Sequence, residues 1–177
     1  MKYLPPETIY EYQIDDIDLD ALAALLHTDV PTSRSTEIIH PDSSTKGGTT
    51  NIFSIQEPPM QQLKKRVEDE VEALLGRRIE PERAWGVSLF PGDLVKFHAH
   101  DRAYRNDPDI PYMPSVVAVF YLCGSTPIMF FPYQKDPVVL QINPGKLVIF
   151  RSDFHHLVPP VNEYRQSIAV KFAEERW

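Results

Sequence analysis

Four of the chain's six histidines fall in two short segments, KFHAHDRAYR at residues 96–105 and RSDFHHLVPP at residues 151–160. Side chains alternate across a strand, so His98 and His100 would share one face while Phe97 and Ala99 take the other. His155 and His156 open a further strand with opposite orientations, and one of them can turn inward to meet the first pair. Taken alone, His98 and His100 fit an ordinary surface or core pair equally well; the second cluster is what favours a metal. A Lewis-acid or redox-active ion that does chemistry needs three protein ligands on one side and open positions on the other, the facial arrangement of non-haem Fe(II). Structural zinc fits less well, because it favours four closed ligands, usually with cysteines, and Cys123 is the single cysteine.

The segment EYRQSIAVKF adds a cation. Arg165 and Ser167 are two apart on a strand whose other face carries Ile168, Val170 and Phe172. If that apolar face packs on helices, Arg165 projects into the interior. A buried guanidinium needs an anionic partner, and its fork suits a carboxylate. The plain alternatives are an internal salt bridge or a surface position.

The elements that must hold these groups come from pattern. A chain of 177 residues, 42% hydrophobic and 24% charged, fits one globular domain. We expect residues 1–84 to give a helical and loop support and residues 85–173 a jelly-roll core. Seventeen prolines against seven glycines cut the sequence into short pieces. In IDLDALAALLHTD, Leu19, Leu22, Leu25 and Leu26 line one helical face and Asp18 can cap. In EPPMQQLKKRVEDEVEALLGRR, Leu63, Val67, Val71, Leu74 and Leu75 form a stripe, prolines open the first turn, and Gly76 stands at the C-terminal cap. The polar run TSRSTEIIHPDSSTKGGTT reads as a loop, a lid hinged at Gly47 and Gly48, leading into a strand near residues 51–55. From Trp85 onward, WGVSLF, LVKFHAH, SVVAVFYL, PIMFF, VVLQI, KLVIF, HHLV and QSIAVKF read as strands separated by turns such as NPGK. Eight or so strands after N-terminal helices predict a mainly β, α+β fold: a barrel or two-sheet jelly roll with helices on one face.

The flank of Cys123, VFYLC, suits a buried small hydrophobe better than a nucleophile. A net charge of −7 argues against nucleic acid or anionic membrane as partners. Prolines and acids break every apolar run near the N-terminus, so neither a signal peptide nor a span is expected there, and the reading is a cytoplasmic protein.

In combination these segments resemble the Fe(II)/2-oxoglutarate-dependent oxygenases, of the cupin-like superfamily. The resemblance lies in FPGDLVKFHAHD, the strand SVVAVFYL, NPGKLVIF, HLVPP from His156, and Arg165-Gln166-Ser167 nine residues beyond that histidine. It covers roughly residues 85–173. It implies a double-stranded β-helix core with Fe(II) bound by His98 and His156. It also implies 2-oxoglutarate as cosubstrate, its distal carboxylate on Arg165 with help from Ser167 and the Tyr121 hydroxyl. Period-two counting agrees that Val117, Val119 and Tyr121 share a face. The implied activity is oxidation of a substrate C–H bond by O2, with 2-oxoglutarate converted to succinate and CO2.

The sequence departs from the family at one point. The usual proximal motif is His-x-Asp, whereas HAHD offers His98-x-His100 or His98-x-x-Asp101. His100 can replace the acid, as its shared face with His98 favours. A bulge at His100 can instead bring Asp101 to the metal. If neither acts, the position of Ala99 leaves room for a halide. The same residues also resemble a cupin: Gly92 followed by His98-x-His100, then NPGKLVIFRSDFHH, with Arg151 and Asp153 where proline and glycine are usual. A three-histidine cupin dioxygenase would not use 2-oxoglutarate, and Arg165, Ser167 and Tyr121 favour the oxygenase that does. A jelly roll that binds a ligand without catalysis is the reading from another class.

The segment DRAYRNDPDIPYMP, residues 101–114, is long for a strand connection, and Arg102 or Arg105 there can contact an acidic small substrate such as an amino acid or organic acid. Edge strands of a small jelly roll can pair in a homodimer, but no exposed apolar stripe is legible in the sequence. His27 and His40 read as surface residues.

Overall fold

The computed structural model describes residues 4–28, 32–33, 44–46, 51–100 and 115–172. In chain order the elements are β1 (Ile9–Gln13), α1 (Leu19–Thr28), β2 (Thr32–Ser33), β3 (Ser44–Lys46), a 3-10 turn (Ile52–Ser54), α2 (Pro58–Leu75), β4 (Pro81–Leu89), β5 (Val95–His98) and β6 (Val116–Cys123). These are followed by β7 (Ile128–Phe130), β8 (Val138–Leu140), β9 (Lys146–Arg151), β10 (His156–Val158) and β11 (Arg165–Phe172). No helix among the described residues is long and apolar enough to cross a membrane.

The helices end where local chemistry says they should. Asp18 accepts a hydrogen bond from the Ala21 backbone N–H at 2.9 Å, capping α1. Helix α2 opens on Pro58 and stops at Gly76, whose φ of 68° is left-handed and whose N–H donates to the Glu72 carbonyl at 2.7 Å. Met60, Leu63, Val67, Val71 and Leu75 are buried along one face, and Leu74 lies at its margin. Each large apolar side chain so removed from water contributes about 1.5–3 kcal/mol.

Among the described residues, eleven strands form two antiparallel sheets. The larger has the order β1-β9-β6-β11-β4-β3-β2, and the smaller β5-β10-β7-β8. Strand β11 is the axis of the large sheet, paired along its length with β4 and β6. Its two faces serve two cores. Ile168, Val170 and Phe172 pack with Leu22, Leu26, Leu63, Val67 and Val71 of the helices. Ala169 packs with Tyr121, Val117, Phe150 and the small sheet's Phe130 and Val158. This is a double-stranded β-helix buttressed by two helices, as the alternating segments predict.

The details differ in instructive ways. The strand expected near residues 51–55 is a 3-10 turn, because the Asn51 side-chain oxygen accepts from both Phe53 N and Ala84 N and curls the chain onto β4. Strand β4 begins at Pro81, ahead of WGVSLF, and β5 ends at His98, short of His100. The N-terminal segment supplies strands as well as helices: β1 pairs with β9 in register Tyr10↔Ile149, and β3 pairs with β4. Cys123 is half-buried, with burial raising its thiol pKa. The outer face of the small sheet exposes Phe97 (52%) and Val139 (51%), apolar positions that the sequence did not mark as a stripe. The proposed lid and its hinge at Gly47 and Gly48, and His40, lie outside the described residues.

Gly124 positions the most important side chain of the interior. Its φ is +87°, and a Cβ added there would lie 2.8 Å from Arg165 Cβ and 2.9 Å from Arg165 Cα. Gly124→Ala therefore combines backbone strain with a clash against β11, and is expected to lower the stability measured by urea unfolding by about 1–3 kcal/mol.

Candidate functional site

The small sheet carries three histidines to one point. His98 ends β5 and is the direct cross-strand partner of His156 in β10, so both point to the same face. Their ring centroids are 4.3 Å apart. His100 lies two residues beyond the strand, held by its backbone N–H, which donates to the Ser152 carbonyl at 2.8 Å. Its ring sits 5.0 Å from that of His98 and 5.1 Å from that of His156. One nitrogen from each of the three lies within 4.8 Å of the others, with His98 and His156 buried and His100 half-buried. His155 turns to the opposite side and stacks on exposed Phe97, 5.0 Å between centroids.

The ring orientations suit metal binding. His98 Nδ1 is 2.8 Å from the Lys96 carbonyl and His156 Nδ1 is 2.9 Å from the Phe154 carbonyl. A carbonyl only accepts, so in both rings Nδ1 carries the proton and Nε2 keeps the lone pair a metal takes. Burial, with His100 and His98 beside it, holds the His156 pKa well below its ordinary value. The imidazole is thus neutral at physiological pH. Ligands on bonds of about 2.1 Å lie roughly 3–4 Å apart, so a small rotation of the rings closes the set on an ion. Three imidazoles suit iron, zinc, copper or nickel.

The large sheet faces this cluster with a cation. Arg165 is 3% exposed, and its guanidinium carbon lies 5.1 Å from the centre of the Tyr121 ring. Its Nε has no hydrogen-bond partner, and neither has the buried Tyr121 hydroxyl. Among the described residues, no ion pair reaches Arg165. Burial lowers the Arg165 pKa and raises that of Tyr121, the neighbouring cation opposing the rise. Ser167, buried on the same face of β11, is the register partner of Tyr121. The internal salt bridge and surface position that the sequence left open for Arg165 are therefore not what the structure shows. A buried cation whose Nε lacks a partner is chemically suited to an anion.

Of the residues singled out by sequence, His98, His100 and His156 converge, and Arg165, Ser167 and Tyr121 share one interior face. Asp101, Arg102 and Arg105 lie outside the described residues. The substitution of Arg151 and Asp153 into the second histidine segment has a local account: Arg151 Nη2 and Nε donate to the two Asp153 carboxylate oxygens at 2.7 and 3.1 Å, closing the turn before His155. Sequence reasoning missed Trp85, whose ring centroid is 5.7 Å from that of His100. The alternation Trp85, Val87, Leu89 was the available signal, since Leu89 is an interior position of the same strand.

The sequence matches no family model and no curated protein. Solved structures give a different result. The fold is that of the Fe(II)/2-oxoglutarate-dependent oxygenases. A prolyl-4-hydroxylase from Pseudomonas putida superposes with a TM-score of 0.69 at 18% identity, over 95% of this chain and 93% of that one. HygX from Streptomyces hygroscopicus, solved with nickel, 2-oxoglutarate and hygromycin B, gives 0.72 at 10% identity, over 96% and 84%. A viral collagen prolyl hydroxylase from Paramecium bursaria Chlorella virus-1, in a 2-oxoglutarate complex, gives 0.67 at 15% identity, over 93% and 94%. The three-histidine cluster and the lone arginine are the features of this chain that such an oxygenase fold can use.

Two outcomes follow from the electrostatics. Replacing Arg165 by methionine removes an uncompensated buried cation, so the ligand-free protein should gain about 1–3 kcal/mol in chemical unfolding, while losing anion binding in calorimetry. The depressed His156 pKa means that below about 6.5 the unfolded chain binds a proton the folded chain refuses. Stability of the metal-free protein should fall as pH drops below that value, by at most about 1.4 kcal/mol per pH unit from this group. His156→Gln should flatten that limb of the thermal denaturation profile.

Proposed function

We propose that the protein is an Fe(II)/2-oxoglutarate-dependent dioxygenase that oxidises a small molecule, consuming O2 and 2-oxoglutarate and releasing succinate and CO2. The observation that supports this reading is the buried Arg165 guanidinium beside Tyr121, its Nε without a partner and with no ion pair among the described residues, in the same interior as three metal-competent histidines. His98, His100 and His156 would hold the iron, and bound iron would supply the redox chemistry that couples decarboxylation of the oxoacid to substrate oxidation. The protein's own residues bind and orient. Arg165, with Ser167 and Tyr121, would take the distal carboxylate of 2-oxoglutarate and so fix the oxoacid end toward the histidines. Val119, Phe130, Phe150 and Val158 keep the space between the sheets apolar and exclude water.

The three-histidine set favours His100 over Asp101 as the third ligand, since His100 already stands with the other two. It also gives the cupin reading its support, because a three-histidine dioxygenase needs no oxoacid. Nickel and 2-oxoglutarate, both bound in the HygX structure, support the oxoacid reading for the same fold.

Anaerobic addition of Fe(II) and then 2-oxoglutarate is expected to produce the weak visible charge-transfer band of a chelated oxoacid. Arg165→Ala should weaken 2-oxoglutarate binding by roughly 100-fold, the loss of a charge-assisted bidentate contact. His98→Ala, His100→Ala and His156→Ala should each lose iron, while Asp101→Ala keeps it. Iron binding without the band points to the cupin chemistry, and retention of iron by His100→Ala with loss in Asp101→Ala assigns the third ligand to the acid. No iron binding at all leaves a non-catalytic ligand-binding barrel.

A further inference from the structure

The interior face of the large sheet runs outward from Arg165 in a graded series. Along β11 the residues on this face are Arg165, Ser167, Ala169 and Lys171, and along β4 their register partners are Leu89, Val87, Trp85 and Arg83. Arg165, Ser167 and Leu89 are buried, Trp85 is half-buried, and Arg83 is exposed. Exposure on this face therefore rises toward Trp85 and Arg83, away from Arg165.

Three observations there belong together. Trp85 stands between His100 and Arg83: its ring is 5.7 Å from that of His100 and tilted by 57° to it, and the Arg83 guanidinium carbon lies 5.7 Å from the indole centre. Ala169 is the cross-strand partner of Trp85, so a small side chain leaves the indole face uncovered on that strand. Arg83 and Lys171 stand directly opposite one another in the ladder. Lys171 is engaged with Glu82 at 3.4 Å. No ion pair among the described residues reaches Arg83, whose guanidinium lies over the indole.

We infer that Trp85 and Arg83 form the substrate wall, and that the substrate is a carboxylic acid with a flat or cyclic apolar body. The body would lie along the indole, with the carboxylate at Arg83 and the opposite end beside His100. This inference rests on the oxygenase reading for the fate of the substrate, but the wall itself is made of strand residues that bind no metal. It also gives the acid-recognising role that the sequence suggested for Arg102 and Arg105 to a cation of the sheet.

Trp85 reports on its own occupancy. In a Trp177→Phe background it is the sole tryptophan, and its fluorescence can be titrated with 4-hydroxyphenylacetate, cinnamate and cyclohexanecarboxylate, each against its primary amide. The full chain is used, once with Fe(II) and 2-oxoglutarate under anaerobic conditions and once without either. At least one acid should bind about tenfold more tightly than its amide, as expected for one charge-assisted contact at a partly exposed site. Arg83→Gln should remove that preference and Arg165→Ala should keep it. The inference is overturned if every acid binds like its amide, if Arg83→Gln leaves the preference intact, or if Arg165→Ala abolishes it, which would place the acid in the inner pocket. Because the titration without iron needs neither metal nor oxoacid, and Arg165→Ala separates the wall from the inner position, loss of the oxygenase reading and loss of this one give different results.

Discussion

An uncompensated positive charge in a dry interior governs this molecule. Arg165 sits on the central strand of the large sheet, buried, with no carboxylate among the described residues to answer it. A cation in that position costs folding free energy, and the cost is tolerable because the rest of the interior is so apolar and well packed. Helices α1 and α2 make that possible. By covering the other face of β11 with Leu22, Leu26, Leu63, Val67 and Val71, they leave Arg165 on the face turned toward the small sheet.

The two halves of the site belong to different sheets. The three histidines come from the small sheet and the turn beyond it, while Arg165, Ser167 and Tyr121 come from the large one. Their separation is set by the side chains packed between, where Phe130 lies 4.9 Å from Phe150 and Phe150 lies 5.0 Å from His156. A closely packed interior of this kind deforms little, so the spacing between the three histidines and Arg165 is a property of the aromatic core. The arrangement of these groups is a consequence of packing as much as of the groups themselves.

What the sequence revealed followed a simple division. Strand periodicity placed Arg165 and Ser167 on the face opposite Ile168 and Val170, and placed Tyr121 with Val117 and Val119, because alternation is a local property of extended chain. Cap residues marked the ends of α1 and α2 for the same reason. His155 and His156 could be told to point apart, but which one turned inward depended on the pairing of β10 with β5, a contact across some sixty residues. The third histidine is a sharper case. Strand β5 stops at His98, so alternation alone no longer governs His100; its position comes from the bond to Ser152 and the neighbouring Trp85 ring. The 3-10 turn at Ile52–Ser54 was misread as strand because the deciding bond, from Ala84 N–H to the Asn51 side chain, joins residues far apart in sequence.

Ser152 carries an implication for how such a site is held. Its carbonyl accepts from His100 N–H and its N–H donates to the Ser115 carbonyl, both at 2.8 Å. One fully buried residue thus fastens the last position before residues 101–114 and the first position after them. The positions flanking residues 101–114 are therefore held by backbone bonds to one buried residue, whatever side chains that stretch carries.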